Sequence, residues 1–146
     1  MNQSGKQSVA FTSFFGGLLI SSVGYLFYLL NFTKLRPTAF LLYSDPILQG
    51  LLGDLLGIIS ISLVSIPLGY VYRWFIPENF SVMISVITGI LLWFVVFSVL
   101  NLFVDSFQSI AELDVNTNIT TLCLYILYSV FLGSSFSYMK TKKTEV

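Results

Sequence analysis

The sequence predicts an all-α membrane protein whose four transmembrane helices form an antiparallel, hairpin-connected bundle. One observation is composition: the 146 residues are 55% hydrophobic and 10% charged, against about 25% charged in a soluble domain. A second is that four long stretches contain no Asp, Glu, Lys, Arg or His, so that each can hold a membrane helix of roughly 20 residues. These stretches lie between Lys6 and Lys34, Asp54 and Arg73, Glu78 and Asp105, and Asp114 and Lys140.

The chain is predicted to form one membrane domain, because four spans with short joints leave no room for a soluble module. We expect a cytoplasmic tail at 1–10, a membrane domain at 11–139 and a basic cytoplasmic tail at 140–146. The joint at 76–81 is tight, so the second and third helices should be antiparallel neighbours. The expected spans are about 11–30, 52–75, 82–104 and 118–138.

The second helix is predicted to be longer than the membrane is thick. Ser44-Asp45-Pro46 is a helix-start pattern, since a capping side chain precedes a proline at the first helical position. A helix from Pro46 to about Phe75 would be about 45 Å long, which exceeds the hydrocarbon slab of about 30 Å. We therefore expect Asp54 to lie at the membrane interface and not within the slab.

Small residues recur at helical spacing and predict the faces on which the helices pack. In lipid, small side chains let two backbones approach closely, and packing replaces the hydrophobic drive available in water. The second helix has a Gly-x-x-x-Gly notch, and the first and third helices have small residues four positions apart. The predicted packing residues are Gly17, Ser21, Gly53, Gly57, Ser85, Gly89 and Gly133.

The candidate binding residues are Asp54, Asn101 and Asp105, which fall on the predicted outer polar rim. Ionisable groups at membrane depth often mark ion or proton pathways. An interfacial Asp54 paired with Lys34 or Arg36 explains that carboxylate as well. Asn101 and Asp105 lie one turn apart and are also explained by termination of the third helix.

A stripe of hydroxyl and tyrosine side chains runs along the fourth helix, after the capping candidates Asp114, Asn116 and Thr117. Such a stripe can line a cavity or bind a polar ligand. More often it holds helices together, because a hydroxyl in lipid takes a partner from a neighbouring helix or from its own i−4 carbonyl. The stripe consists of Thr121, Tyr125, Ser129, Gly133 and Ser137.

The positions of the basic residues predict that both termini are cytoplasmic. Five of them fall on one side of a four-span hairpin arrangement, and two fall on the other. The positive-inside rule places the side with more Lys and Arg in the cytoplasm. The expected location is the cell membrane, with the lipid bilayer as the first partner. The five are Lys6, Arg73, Lys140, Lys142 and Lys143.

The composition offers few side chains for catalysis. The chain has no His, which excludes Ser-His arrangements and imidazole metal sites. Its single cysteine, Cys123, cannot form an intrachain disulfide. Seven basic and seven acidic residues cancel, so no net field attracts nucleic acid. We expect no enzyme activity, no cofactor, no metal and no nucleic-acid partner.

Three segments of the chain carry a family resemblance. The most specific is AELDVNTNITTLCLYILYSVFLGSSFSY at 111–138. Upstream of it stand FFGGLLISSVGYLFYLLNFT at 14–33 and LLWFVVFSVLN at 91–101. The segment at 111–138 resembles the closing segment of the YqhR family, and those at 14–33 and 91–101 resemble its first and third spans. The resemblance implies a multi-pass membrane protein of a Gram-positive cell, and it brings no catalytic or binding residues.

Two functions remain open for such a chain. The first is a non-enzymatic structural or interaction protein that packs with itself or with another membrane protein, as the small-residue faces favour. The alternative is a small transporter or channel subunit, in which Asp54 or the tyrosine stripe contacts the solute. The first predicted helix contains no acidic residue, which weighs against the alternative.

Overall fold

The computed structural model describes residues 3–40, 50–75, 81–103 and 109–144, which form helices and connecting segments without a strand. Each of the four long helices has a span of 22 to 26 residues that is long and apolar enough to cross a membrane. The predicted all-α fold with four transmembrane helices is confirmed. The helices are α1 (Gln3–Leu29), α2 (Leu51–Phe75), α3 (Val82–Phe103) and α4 (Val115–Thr144), and a short 3₁₀ helix, Pro37–Phe40, precedes α2.

Two helices extend beyond the ends that hydropathy predicted. α1 begins at Gln3, so residues 3–10 of the predicted tail are helical. α4 runs from Val115 to Thr144, so most of the predicted tail at 140–146 continues the helix. The reason is that hydropathy detects the apolar slab, whereas backbone hydrogen bonds extend a helix into the polar interface. The start predicted at Pro46 lies outside the described residues.

Local caps account for the described helix ends. After α1, Asn31 takes the left-handed conformation with φ of 60°, and the Phe32 N–H donates to the Phe27 carbonyl at 2.9 Å. This is the bond of a Schellman cap, in which Asn stands in for the usual Gly. The carbonyls of Ser81 and Asp114 accept the first helical bonds of α3 and α4. Asp114 thus occupies the capping position that the sequence predicted.

The helices pack as antiparallel pairs, α1 with α2 and α3 with α4, and α1 also packs on α4. In the pair of α1 and α2, Gly17 lies against Ser65 and Gly69 lies against Ser13, so the two helices run in opposite directions. This arrangement places the N-terminus and the C-terminus at one end of the bundle. We call it the terminal end, and we call the opposite end, which holds residues 30–40 and 109–114, the loop end.

Glycines allow the closest approaches between helices. A Cβ added to Gly17 would lie 3.0 Å from the Ser62 Cα of α2, and one added to Gly89 would lie 2.8 Å from the Ile126 Cα of α4. Contacts this short would force backbones apart, so both helix pairs depend on the missing side chain. Both residues therefore lie at helix contacts, on the faces that their spacing predicted.

α2 and α3 were predicted to be antiparallel neighbours, and they have little close contact along their described lengths. α2 packs on α1 and on the 3₁₀ helix, while α3 packs on α4. A direct polar contact between α2 and α3 occurs near the terminal end, where the Tyr72 hydroxyl lies 3.2 Å from Ser85 Oγ. A short joint fixes the helices at one end only, and small residues decide which faces meet beyond it.

Candidate functional site

A partly buried ion pair lies at the loop end of the bundle. Arg36 Nη2 donates to Asp54 Oδ2 at 2.9 Å. The sequence offered Lys34 or Arg36 as the partner of Asp54, and the structure selects Arg36. The Asp54 side chain is 3% exposed and that of Arg36 is 41% exposed. Asp54 lies in the first turn of α2, where the helix dipole favours a negative charge. The pair therefore joins α2 to the segment that follows α1.

The ion pair is only partly satisfied. Asp54 Oδ1 and Arg36 Nε are both buried, and neither has a hydrogen-bond partner among the described residues. The hydrogen bond to Asp54 raises the pKa of Arg36 above its usual value, so the guanidinium stays charged. Arg36 also lies over the Tyr28 ring, 5.2 Å from its centroid, which adds a cation–π contact. These contacts hold Arg36 between α1 and α2.

The segment from residue 33 to residue 40 covers the loop end of the helices. Gly57 of α2 admits this segment, because a Cβ there would collide with the backbone carbonyl of Pro37. On the other side, the Lys34 N–H donates to Thr117 Oγ1 of α4 at 3.0 Å. Thr117 is fully buried. We call residues 33–40 the cover segment, and it is fixed to both α2 and α4.

A cavity of about 180 Å³ lies beneath the cover segment and is lined by all four helices. Leu35 and Pro37 of the cover segment line its loop end. Val64 of α2 also lines it and is 58% exposed, so the cavity reaches the surface of the bundle there. The open side lies between α2 and α3, since these helices do not pack closely. The other apolar lining residues include Ile61, Leu68, Val96 and Leu100.

Hydroxyl groups line the cavity together with the apolar side chains. Most are committed to the protein: Ser21 donates to the Gly17 carbonyl at 2.7 Å, and Tyr128 donates to the Ser65 carbonyl at 3.3 Å. Ser65 and Thr121 likewise donate to carbonyls one turn back, and Thr33 accepts from a backbone N–H. The hydroxyls of Ser60 and Tyr125 differ, because no hydrogen bond joins either of them to another described residue. The ring of Tyr125 is held edge-on against Phe97, with centroids 6.2 Å apart.

A second polar cluster joins three helices at the terminal end. The Tyr72 hydroxyl of α2 donates to the Ser129 carbonyl of α4 at 2.6 Å. Ser129 Oγ donates to the Ser85 carbonyl of α3 at 2.6 Å. All three residues are buried. This cluster acts as a helix joint, the role that is commonest for hydroxyls in lipid.

The three candidate binding residues do not share one environment. Asp54 is buried in its ion pair, whereas Asn101 is exposed on the last turn of α3. Asp105 lies outside the described residues. Asp54 lies in the first turn of α2, and its expected depth at the membrane interface stays a prediction. The predicted rim thus contributes one buried carboxylate, and the cavity beside it is lined by Thr121 and Tyr125 of the stripe for which a cavity was one of two interpretations.

The predicted packing residues are buried, and one of them, Gly57, has a partner other than the expected one. Gly57 was predicted to admit another membrane helix, and it admits the cover segment instead. The physical reason is that Gly57 lies close to the loop end of α2, where the chain returns from α1. The residues predicted for packing and found buried are Gly17, Ser21, Gly53, Gly57, Ser85, Gly89 and Gly133.

The face with which α2 packs on α1 was not predicted from the sequence. Ser62, Ser65, Gly69 and Tyr72 are buried along it. Their spacing of three, four and three residues is the heptad-like signal of a packed helix face. A search for small residues at mixed three- and four-residue spacing would have found them.

Comparison with known proteins agrees with this architecture. The family model described as "Conserved membrane protein YqhR" matches residues 2–146. The chain belongs to the YqhR family. A relative in Bacillus subtilis (strain 168), "Uncharacterized protein YqhR", is 34% identical over 135 residues, which cover 89% of this chain and 74% of the relative. No solved structure matches the chain. YqhR membership thus supports the membrane class and assigns no role to any residue.

Proposed function

We propose that this YqhR-family protein is a non-enzymatic membrane protein that acts by contacts with other components of the bilayer, either a second copy of itself or another membrane protein. The observation that carries the proposal is the use of the buried hydroxyls. Those of Tyr72, Ser129 and Thr121 bond to neighbouring helices or to backbone carbonyls. Groups committed to structure in this way are not available as nucleophiles or bases.

The charges of the bundle support the same proposal. Asp54 is the one acidic residue in the described spans with a buried side chain, and it is paired with Arg36. A proton or ion pathway would need polar groups at successive depths along the bundle. The cavity below the pair is small and mostly apolar, which disfavours a transporter of drug-sized solutes, whose sites measure about 300–1,000 Å³.

Partner contacts can be tested with a photoreactive residue at one lipid-exposed position on each helix. Leu19, Leu63, Leu91 and Leu127 lie on α1 to α4 and are 52%, 54%, 59% and 56% exposed. We expect benzoylphenylalanine at one of these positions to give a discrete protein adduct in native membranes. The other three positions then serve as matched controls. Adducts with lipid only at all four positions, together with a monomer in mild detergent, would contradict the proposal.

The proposed location is the cell membrane with both termini in the cytoplasm. This orientation is supported by the excess of Lys and Arg at the terminal end. In a Cys123→Ala background, Phe32→Cys marks the loop end and Trp74→Cys marks the terminal end without changing any charge. We expect an impermeant maleimide to label only Phe32→Cys in intact cells. Labelling of Trp74→Cys before permeabilisation would reverse the orientation.

A further inference from the structure

We infer that the cavity beneath the cover segment binds a neutral amphiphile from the bilayer, an apolar chain or ring that carries an oxygen able to accept a hydrogen bond from Tyr125. The inference goes beyond the proposed function, because this site needs no protein partner. It assigns a ligand class to Tyr125, which with Ser60 is one of two lining hydroxyls that have no partner among the described residues.

The size of the cavity limits the occupant. At about 180 Å³ it is comparable to the apolar protein cavities of about 150 Å³ that accept benzene. It therefore holds one ring or a short length of a hydrocarbon chain, and not a whole lipid. The remainder of a longer molecule must lie outside the cavity.

The opening between α2 and α3 gives the rest of the molecule a place to lie. Val64 forms part of the lining and is more than half exposed, and α2 and α3 leave a seam on this side. At membrane depth this seam faces hydrocarbon, so the cavity is reached from lipid and not through the cover segment. An apolar tail can then extend from the cavity into the bilayer at little cost in free energy.

The lining selects an uncharged ligand. Its side chains are apolar or carry hydroxyls, and it contains no Asp, Glu, Lys or Arg. An ionised group would lose its hydration here without a countercharge, which is unfavourable at membrane depth. Tyr125 lies ten residues into α4, about 15 Å from its start and so near the middle of a slab about 30 Å thick. The ligand oxygen must therefore be one that tolerates this depth, such as a hydroxyl, ketone or ether.

Tyr125 provides the polar contact because the other lining hydroxyls either bond to the protein or, like Ser60, belong to a short side chain that can turn back to its own i−4 carbonyl. A phenol hydroxyl both donates and accepts, and at depth it gains from any oxygen that accepts its proton. Phe97 holds the ring edge-on, which limits its rotation. The ligand oxygen would thus satisfy a group that the fold leaves without a partner.

The site can be tested with a photoreactive alkyl diazirine on the full chain in nanodiscs. We expect labelled peptides to come from the cavity lining of α2, α3 and α4. Hexadecanol should displace the probe roughly three- to tenfold better than hexadecane, as one net hydrogen bond predicts. Palmitate should displace it less well than hexadecanol. In Tyr125→Phe, hexadecanol and hexadecane should become equal.

Cavity-filling variants separate the site from general contact with lipid. Val96→Trp places a large side chain in the cavity, and Val95→Trp makes the same change on the lipid face of α3, where Val95 is 54% exposed. Val64→Trp blocks the opening from an exposed position and serves if Val96→Trp does not fold. We expect loss of labelling in Val96→Trp or Val64→Trp and retention in Val95→Trp. Equal labelling of all variants, or displacement by palmitate as strong as by hexadecanol, would overturn the inference.

Discussion

Replacing Arg36 by methionine should destabilise the protein more than replacing Asp54 by asparagine. Methionine keeps an apolar stem over Tyr28 but removes the guanidinium that pairs with Asp54. The Asp54 carboxylate, with a side chain only 3% exposed, is then left as an unpaired buried charge. In Asp54→Asn the group left behind is Arg36, which is 41% exposed and can reach water. The two halves of one ion pair thus have unequal costs.

The expected magnitudes follow from burial. Removing one partner of a fully buried pair costs about 3–5 kcal/mol, and solvent at Arg36 reduces this to about 2–3 kcal/mol for Arg36→Met. The lost cation–π contact adds about 0.5–1 kcal/mol. Asp54→Asn keeps the size and an acceptor oxygen, so its cost should be that of one weakened hydrogen bond, about 0.5–1.5 kcal/mol. The double variant should cost clearly less than the sum.

The assay is unfolding of the purified protein in mixed micelles by titration with SDS, followed by circular dichroism. Wild type, both single variants and the double variant give the two costs and their coupling. Leu56→Met, at a 45% exposed position of the same end of α2, controls for the effect of a surface change. A cost for Asp54→Asn equal to or above that for Arg36→Met, or additive costs in the double variant, would refute the reasoning.

Two further comparisons test the helix contacts by the same unfolding measurement. Gly17→Ala should lower the free energy of unfolding by about 1–3 kcal/mol through overpacking, because its Cβ would lie 3.0 Å from the α2 backbone. Gly24→Ala should be near neutral, because the nearest contact of its Cβ is at 3.4 Å to a side-chain methyl of α4. Equal losses of stability in the two variants would contradict this account. Tyr72→Phe should lower the free energy of unfolding by about 1–2 kcal/mol, because it removes the hydrogen bond that joins α2 to α4. Tyr70→Phe should lower it less, because the hydroxyl of Tyr70 is exposed. If the two tyrosine variants are equally stable, the joint contributes nothing.

The sequence predicted the helices far better than their partners. α3 was placed from residue 82 onward, and α4 was placed after Asp114, because an apolar run and a cap are both local signals. The short joint predicted that α2 and α3 are antiparallel neighbours, but it did not predict how little of their length is in close contact. That contact depends on the rotation of each helix about its axis, which hydropathy does not report.

The candidate site was predicted only in part for the same reason. Asp54 was identified as a carboxylate near the interface, with Lys34 or Arg36 as its partner, and the structure selects Arg36. Tyr125 was identified as part of a stripe whose hydroxyls were expected to hold helices together. Ser129 does so by bonding to α3, whereas Tyr125 lines the cavity. The two differ by one turn of α4, and only the position of α2 and α3 around them separates a joint from a cavity wall.

The sequence by itself determined that this protein is a bundle of four membrane helices, because a bilayer offers no water to the backbone and a long uncharged segment must satisfy its own hydrogen bonds as a helix. It also determined where the charges lie along each helix. The tertiary structure alone decided which helices pair, how the cover segment closes the loop end and that a cavity remains beside Tyr125. These features depend on small residues meeting across helices that are distant in sequence, and no single segment contains that information.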